Sequence, residues 1–360
     1  MKKVHLNSIQ QGERLAKPIF QENGNVLLGA GVELTDRFIQ RLTMLGIDMV
    51  YIEDAFTEGI VPVAPIRDET RKQAAGAVYK TVNSLVDLPA NRGRAMSPET
   101  GRTFRTVFRD ILNDLITRED VLVSLSDIHV TDAYLFQHSV NVAVLAGVMG
   151  IAKGYNRQQL EELGIGAMLF DIGMTQVPKE LLNKKGDLTP QEKEMVQRHT
   201  VLGYDLIRKQ HDISLLSAHC ALQHHERYDG TGYPRQVGKD AIHMYAQIVG
   251  LADVYTALTS ARPYRKRYTP SEAIEYLFAA GGTHFNLDLI KLFCSHISIY
   301  PISTTVLLNS GQVGVVSANN PVALHRPLVR IIREPDGSAP SAPYELDLKE
   351  ELHLNIVNEM

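Results

Sequence analysis

Apolar and polar positions alternate in short runs over the first fifty residues, in "AKPIF", "ENGNVLL" and "MVYIED", the pattern of half-buried β-strands. Between the last two lies "TDRFIQRLTMLG", whose apolar spacing predicts a short helix with Thr35 as N-cap and Gly46 just past its end. Asn23-Gly24 is a hairpin-type turn signal. Residues 1–60 therefore read as a small α+β module. The stretch "VPVAPI" at 61–66 reads as an extended linker, because each proline restricts its own backbone and that of its predecessor. A helix is expected from about 66 to 88, ended by Pro89, and another from Pro98 to about Arg118. In the second, Phe104, Val107, Phe108, Ile111, Leu112 and Leu115 form an amphipathic stripe. Such a stripe is more often core than a dimerisation face.

From about 119 to 297 the pattern is helix after helix with short connections, and this stretch holds most of the 13 histidines. The period then changes. "STTVLLNSGQVGVVSANNPVALHRPLVRII" reads as strands separated by Asn-Ser-Gly and Asn-Asn-Pro turns, followed by the Pro/Ser/Gly stretch "EPDGSAPSAP". The expected fold is mainly α: a helical bundle at 119–297, preceded by linker and helices at 61–118. A small N-terminal α+β module at 1–60 and a small C-terminal β module at 298–360 flank it.

Composition narrows the function classes. A hydrophobic fraction of 44% and a charged fraction of 22% are those of an ordinary globular protein. A net charge of −4 gives no electrostatic reason to expect nucleic acid or an anionic membrane as partner, although local basic clusters could still bind phosphate. Two cysteines, Cys220 and Cys294, make no disulfide framework and fit a reducing cytoplasm. The N-terminal "MKKVHLNSIQQGERL" has no apolar signal region, and no run approaches the roughly 20 apolar residues that span a bilayer. A cytoplasmic protein is expected.

The chemistry concentrates in the helical stretch. In "LQHHERYDGTGYPR", two glycines in three positions must break the preceding helix, so His224 and His225 sit at or near its end. There adjacent side chains can turn toward one point, whereas within a regular helix neighbours diverge. Neutral imidazole is the commonest metal ligand. A lone histidine on an apolar face is usually a satisfied core residue; two adjacent ones before this turn shift the balance. His138, Asp171, His199 and Asp253 lie on separate expected helices. A carboxylate within apolar neighbours, as in Leu251-Ala252-Asp253-Val254 or after Met168-Leu169-Phe170, is costly unless paired or metal-bound. Together these residues point to a divalent metal site of mixed nitrogen and oxygen ligands.

The order of these motifs resembles the HD-GYP family, a branch of the HD-domain metal-dependent phosphohydrolases. "HHERYDGTGYP" matches that family's HHExxDGxGYP in full, and the helix at 138–145, His199, the Asp253 helix and "RPYR" at 262–265 follow in the family's order. The resemblance covers about half of the chain. It implies an all-helical bundle, cyclic di-GMP as the foremost substrate, and hydrolysis to the linear dinucleotide or GMP. It further implies His138, Asp171, His199, His224, His225 and Asp253 as metal ligands, with Asp171, His225 and Asp253 serving catalysis. Tyr233, Arg262 and Arg265 fall where the family contacts substrate, and an arginine can grip phosphate bidentately. "ARPYRKRY" read on its own could equally be a solvated basic helix end, and Tyr233-Pro234 could simply shape a turn.

Two positions depart from the family. Its name-giving His-Asp-x-Gly-Lys stands here as Phe170-Asp171-Ile172-Gly173-Met174. By the resemblance, the metal set His138, Asp171 and Asp253 has lost the ligand at 170, while the set Asp171, His199, His224 and His225 is complete. A third-metal glutamate of some members is replaced by Tyr134. One tight divalent ion and a second, partly occupied one are therefore expected. Iron or manganese is favoured by resemblance, since mixed ligation alone does not choose among transition metals. Losing one preorganised donor such as the lysine costs on the order of 10²–10³ in rate. The expected protein acts on cyclic di-GMP with weakened activity, or else binds it without turnover and signals through its flanking modules, a homodimer or a partner protein.

Overall fold

The computed structural model describes residues 1–360 except 11, 21–25, 46, 63, 87–94, 118–133, 183, 185, 261–266 and 321. The N-terminal elements are β1 (Lys2–His5), β2 (Ile19–Phe20), β3 (Val26–Leu28), α1 (Asp36–Met44) and β4 (Met49–Ile52). β1 pairs antiparallel with β4, Lys2 opposite Ile52 and His5 opposite Met49. The Thr35 hydroxyl accepts from the Phe38 amide and so caps α1, as its position before the apolar run suggested. Leu6, Leu15, Leu34, Leu42, Val50 and Ile52 form a separate small core. The expected signals at Asn23-Gly24 and Gly46 lie outside the described residues. β1 has no counterpart among the sequence expectations, since "KKVH" carries only one strongly apolar residue.

Two long helices follow, α2 (Asp68–Val86) and α3 (Thr100–Ile116). All six residues of the α3 stripe are buried, in the same core as the helices that follow, so that stripe is core. The close fit shows at Phe108, whose ring occupies the space a side chain at Gly164 would need. α3 is also tied to the next layer by charge: the Arg109 guanidinium donates to both Glu161 carboxylate oxygens, at 2.7 and 3.2 Å.

The bundle comprises α4 (Tyr134–Ala152), α5 (Arg157–Leu169), α6 (Lys179–Leu182), α7 (Pro190–Gln197), α8 (His199–Ile207) and α9 (Leu215–Gln223). α10 (Met244–Thr259), α11 (Pro270–Ala279) and α12 (Leu287–Cys294) complete it. Capping boxes at Asn156/Gln159, Thr189/Glu192 and Thr269/Glu272 open α5, α7 and α11, each satisfying two amides that the first turn leaves unpaired. α4 and α10 sit centrally and are apolar nearly all round, the mark of helices enclosed by others. Among the described residues no helix is long and apolar enough to cross a membrane.

The C-terminal strands β5 (Thr305–Leu308), β6 (Val313–Ala318), β7 (Leu328–Arg333), β8 (Tyr344–Asp347) and β9 (Ile356–Glu359) form an antiparallel sheet ordered β8-β7-β6-β5-β9. The chain's two ends meet: the Lys3 amide donates to the Ser303 carbonyl at 2.8 Å, and the Arg330 guanidinium to the Glu58 carbonyl at 2.6 Å. The fold is thus mainly α, with β structure gathered from both termini.

Candidate metal centre

Three chain segments converge on one point. α5 ends at Leu169, with Phe170 as its C-cap, and Asp171 opens a 3₁₀ turn at Ile172–Gln176. α8 begins at His199. α9 ends at Gln223 with His224 as C-cap, so His224 and His225 fall where the helix releases the backbone, as the DGTG turn required. Close backbone approach holds these segments together. A Cβ on Gly173 would lie 1.9 Å from the His199 carbonyl oxygen, and one on Gly250 would lie 2.5 Å from that of His224. Only glycine lets the 3₁₀ turn touch α8 and lets α10 touch the end of α9. Gly173 entered the sequence reading only as a position of the family motif and Gly250 not at all, because glycines were weighed there for turns and helix ends.

One donor atom each from Asp171, His199, His224 and His225 lies within 4.8 Å of the others. His199 Nδ1 meets the Val196 carbonyl at 2.8 Å, and His224 Nδ1 meets those of Cys220 and Ala221 at 2.9 and 3.0 Å. Carbonyls only accept, so each Nδ1 carries the proton, which leaves Nε2 as a bare lone pair. The two Nε2 atoms face one another at 3.4 Å and lie 3.3 and 3.5 Å from Asp171 Oδ1. That buried oxygen has no hydrogen-bond partner among the described residues. Lone pairs of two imidazoles and one carboxylate oxygen thus converge with no donor between them. Such an arrangement is unfavourable by itself and fits a cation, with backbone carbonyls orienting the ligating rings.

Protons taken up by the imidazoles are the alternative to a cation for relieving this crowding, and the electrostatics show the demand for positive charge. Burial by itself would raise the Asp171 carboxyl, but contact with His199 and His224 outweighs it and holds the group ionised, well below the usual carboxylate range. His199 is pulled down by burial and pushed up more strongly by Asp171, ending above its ordinary value. Burial, with His224 nearby, drives His225 well below its ordinary value and keeps it neutral. Its ring stacks on Tyr233, centroids 4.7 Å apart, and the Tyr233 amide donates to the His225 carbonyl at 3.2 Å. Glu226 is a further residue that sequence reasoning missed. Its buried carboxylate accepts from the Arg235 and Val237 amides at 2.7 and 3.2 Å, which fastens the turn carrying Tyr233. Its place directly after the two histidines was the available signal.

The other half of the expected site is arranged differently. His138 and Asp253 do not join the four-donor group; His138 Nε2 lies 2.7 Å from Asp253 Oδ1, so the two satisfy each other. Phe170 is fully buried between the halves, its ring centroid 5.9 Å from that of His138 and 4.9 Å from that of His224. Met174 is half-buried and lines a cavity that Asp171 also borders. Arg262 and Arg265 lie outside the described residues; Arg267, just beyond them, pairs with Asp48 at 3.4 Å.

Residues 123–289 match the HD domain, and residues 305–360 match a KOW domain associated with the HD domain. With the intact HHExxDGxGYP motif on the converging histidines, this decides the family. The chain belongs to the HD-GYP family. A Pseudomonas aeruginosa protein named cyclic di-GMP phosphodiesterase is 33% identical over 239 residues, which cover 66% of this chain and 58% of that one. A Thermotoga maritima protein of the same name is 32% identical over 196 residues, covering 54% of this chain and 52% of that one. The chain therefore spans little more than half the length of these curated relatives. Among solved structures, an HDG"Y"P protein of Bdellovibrio bacteriovorus superposes with a TM-score of 0.53 at 16% identity, covering 81% of this chain and 97% of that one, which supports the fold. HD-domain phosphohydrolases depend on metal, and the His/Asp cluster of this HD-GYP protein could hold one.

Proposed function

We propose that this HD-GYP protein is a metal-dependent phosphodiesterase directed at cyclic di-GMP, with activity weakened by Phe170 and Met174. The observation that carries the metal part is the buried Asp171 oxygen and the two bare Nε2 atoms facing each other without a donor. The substrate class rests on the relatives named above. In this reading Asp171, His199, His224 and His225 hold one tight divalent ion, iron or manganese. His138 and Asp253 serve a second ion only in part, because they are paired with each other and the position beside them is phenylalanine. A bound divalent ion supplies Lewis-acid polarisation of phosphoryl oxygens and lowers the pKa of water. The chain's own contribution is orientation. The Val196 and Cys220 carbonyls fix the imidazole tautomers, Glu226 fixes the loop bearing Tyr233, and Arg262 with Arg265 grips the phosphates.

A second reading is a receptor that binds cyclic di-GMP without turning it over. The burial of Phe170 between His138 and His224 favours it, since the ring fills the place of a ligand. Elemental analysis, calorimetric titration with cyclic di-GMP and product analysis on one purified sample test both. One tight ion with slow hydrolysis supports the enzyme; binding with no product supports the receptor. Three ions per chain, or none after anaerobic purification, contradicts the metal assignment. Absence of binding sinks both readings. Arg262→Ala is expected to weaken binding by roughly 1.5–3 kcal/mol, the worth of a charge-assisted hydrogen bond.

A further inference from the structure

Arg262 and Arg265 lie outside the described residues, but the two anchors between which the chain carries them are described. On one side α10 ends at Thr259, with the Ser260 amide donating to the Thr256 carbonyl at 3.0 Å. On the other, the Tyr268 amide donates back to the Leu258 carbonyl at 3.0 Å, and Thr269 opens α11 with its capping box. Arg262 is two positions after Ser260, and Arg265 two positions before Arg267. Two residues of chain reach at most about 7 Å, so each arginine is tethered close to an anchor.

Arg267 ties the second anchor to the terminal modules. Its Nε lies 3.4 Å from Oδ2 of Asp48, the residue before β4, and both side chains are largely shielded from solvent. Asp48 is itself held, because its carbonyl accepts from the Leu6 amide at 2.8 Å. Its Oδ1 is buried with no hydrogen-bond partner among the described residues, so the Arg267 charge offsets that burial. Arg267 also attracts the buried Glu359 carboxylate of β9. The modules supplying these two carboxylates are bonded to each other, the Thr305 hydroxyl donating to the Lys3 carbonyl at 3.1 Å. A planar guanidinium suits this place, since it can answer two carboxylates from one orientation.

We propose that Arg267 is a positioning residue for the phosphate grip, held by Asp48, and that the terminal modules thereby set the affinity for cyclic di-GMP. The proposal rests on the reading of this protein as one directed at cyclic di-GMP, with Arg262 and Arg265 on the phosphates. Ordering a long cationic side chain on binding lowers affinity, and an anchor fixed beforehand reduces that cost. The four-donor cluster takes no part in the contact, because Asp171, His199, His224 and His225 lie on other segments. A partner or ligand that shifts the terminal modules therefore acts on dinucleotide affinity and leaves the ion in place.

The test uses the metal-loaded full chain. Cyclic di-GMP affinity by calorimetry and metal content by elemental analysis are measured for Asp48→Asn, Arg267→Gln, the double variant and Arg267→Lys. Each of the first two is expected to weaken dinucleotide binding by about three- to fivefold, the upper end for a partly exposed ion pair, with metal content retained. The double variant should be no weaker than the worse single one, because either change breaks the same contact. Arg267→Lys, which keeps the charge, should recover most of the loss. Unchanged affinity in both single variants overturns the proposal, as do fully additive losses or a parallel loss of metal; the functional reading then still stands. No recovery in Arg267→Lys overturns it as well, since the effect is then one of packing. Failure of the wild-type chain to bind cyclic di-GMP removes the functional reading and this proposal together. Should Arg267→Gln not fold, Asp48→Asn, which keeps the shape and loses only the charge, decides alone.

Discussion

The two sides of Phe170 are built from the same bundle and the same residue types, yet they solve opposite problems. On one side Asp171, His199 and His224 crowd their lone pairs together and leave a buried oxygen without a donor. On the other, His138 and Asp253 close on each other at 2.7 Å. A buried carboxylate with a histidine partner is at rest; one that faces only acceptors needs a cation. On the proposed reading, the comparison teaches how a metal site loses a ligand without collapsing. The phenylalanine ring keeps the core filled, and the stranded pair closes on itself at 2.7 Å.

The largest effect should come from breaking that asymmetry directly. Asp171→Ala removes the one anionic ligand of the cluster and is expected to weaken metal binding by more than about 100-fold, beyond the 10–100-fold typical of outer-shell changes. His138→Ala should leave the tight ion in place. Elemental analysis after dialysis checks the pair, and equal loss in both variants would show the two sides to be one site. Next in size is Gly173→Ala. Its methyl group would overlap the His199 carbonyl, so the 3₁₀ turn and α8 must separate. A cost of about 1–3 kcal/mol in unfolding free energy is expected, as for other overpacked positions, together with weaker metal retention. Gly186→Ala, in open space at a positive φ, serves as a strain control with no effect on metal.

How much of this was legible in the sequence follows from the range of the interactions. Helix caps at Thr35, Asn156 and Thr189 and the buried α3 stripe depend on residues a few positions apart, and such signals are local. The break after His224 was equally visible, because Gly230 and Gly232 announce it. The pairing of β1 with β4, the docking of Lys3 on Ser303 and the closure of His138 on Asp253 join positions dozens to hundreds of residues apart. No spacing rule reaches them. Gly173 and Gly250 were present in the sequence, but their meaning lies in a backbone from another segment.

Repair of the depleted side tests the comparison from the other direction. Phe170→His with Met174→Lys should raise metal occupancy and increase phosphodiesterase turnover at least tenfold, or about 1.4 kcal/mol of barrier. One electrostatic contact can be worth more than that. Phe170→His alone should mainly improve metal binding, and Met174→Lys alone should do little, so the pair ought to be non-additive. The histidine must also draw His138 and Asp253 apart, since they now satisfy each other. A repaired protein with two ions and no turnover would falsify the account of Phe170 and Met174 as the cause of weakness.

The smallest expected effect sets Asp171 beside a second carboxylate with a buried oxygen that has no partner among the described residues, Glu359 of β9. Burial raises its pKa from 4.5 to about 7, against the attraction of Lys3 and Arg267 and with some repulsion from Glu272. The sign follows from proton counts. Between the two pKa values the folded chain holds the proton more tightly than the unfolded one, so stability falls as pH rises from about 4.5 through 7 and is flat above. Glu359→Gln removes this loss. The full shift would be worth about 3 kcal/mol, but the side chain is only partly buried and solvent screening reduces this to about 1 kcal/mol. Urea unfolding should therefore find the glutamine variant more stable by about 1 kcal/mol at pH 8 and nearly equal to wild type at pH 5. An advantage of the same size at both pH values would mean that the glutamate's charge is not what strains the junction of β9 with the bundle.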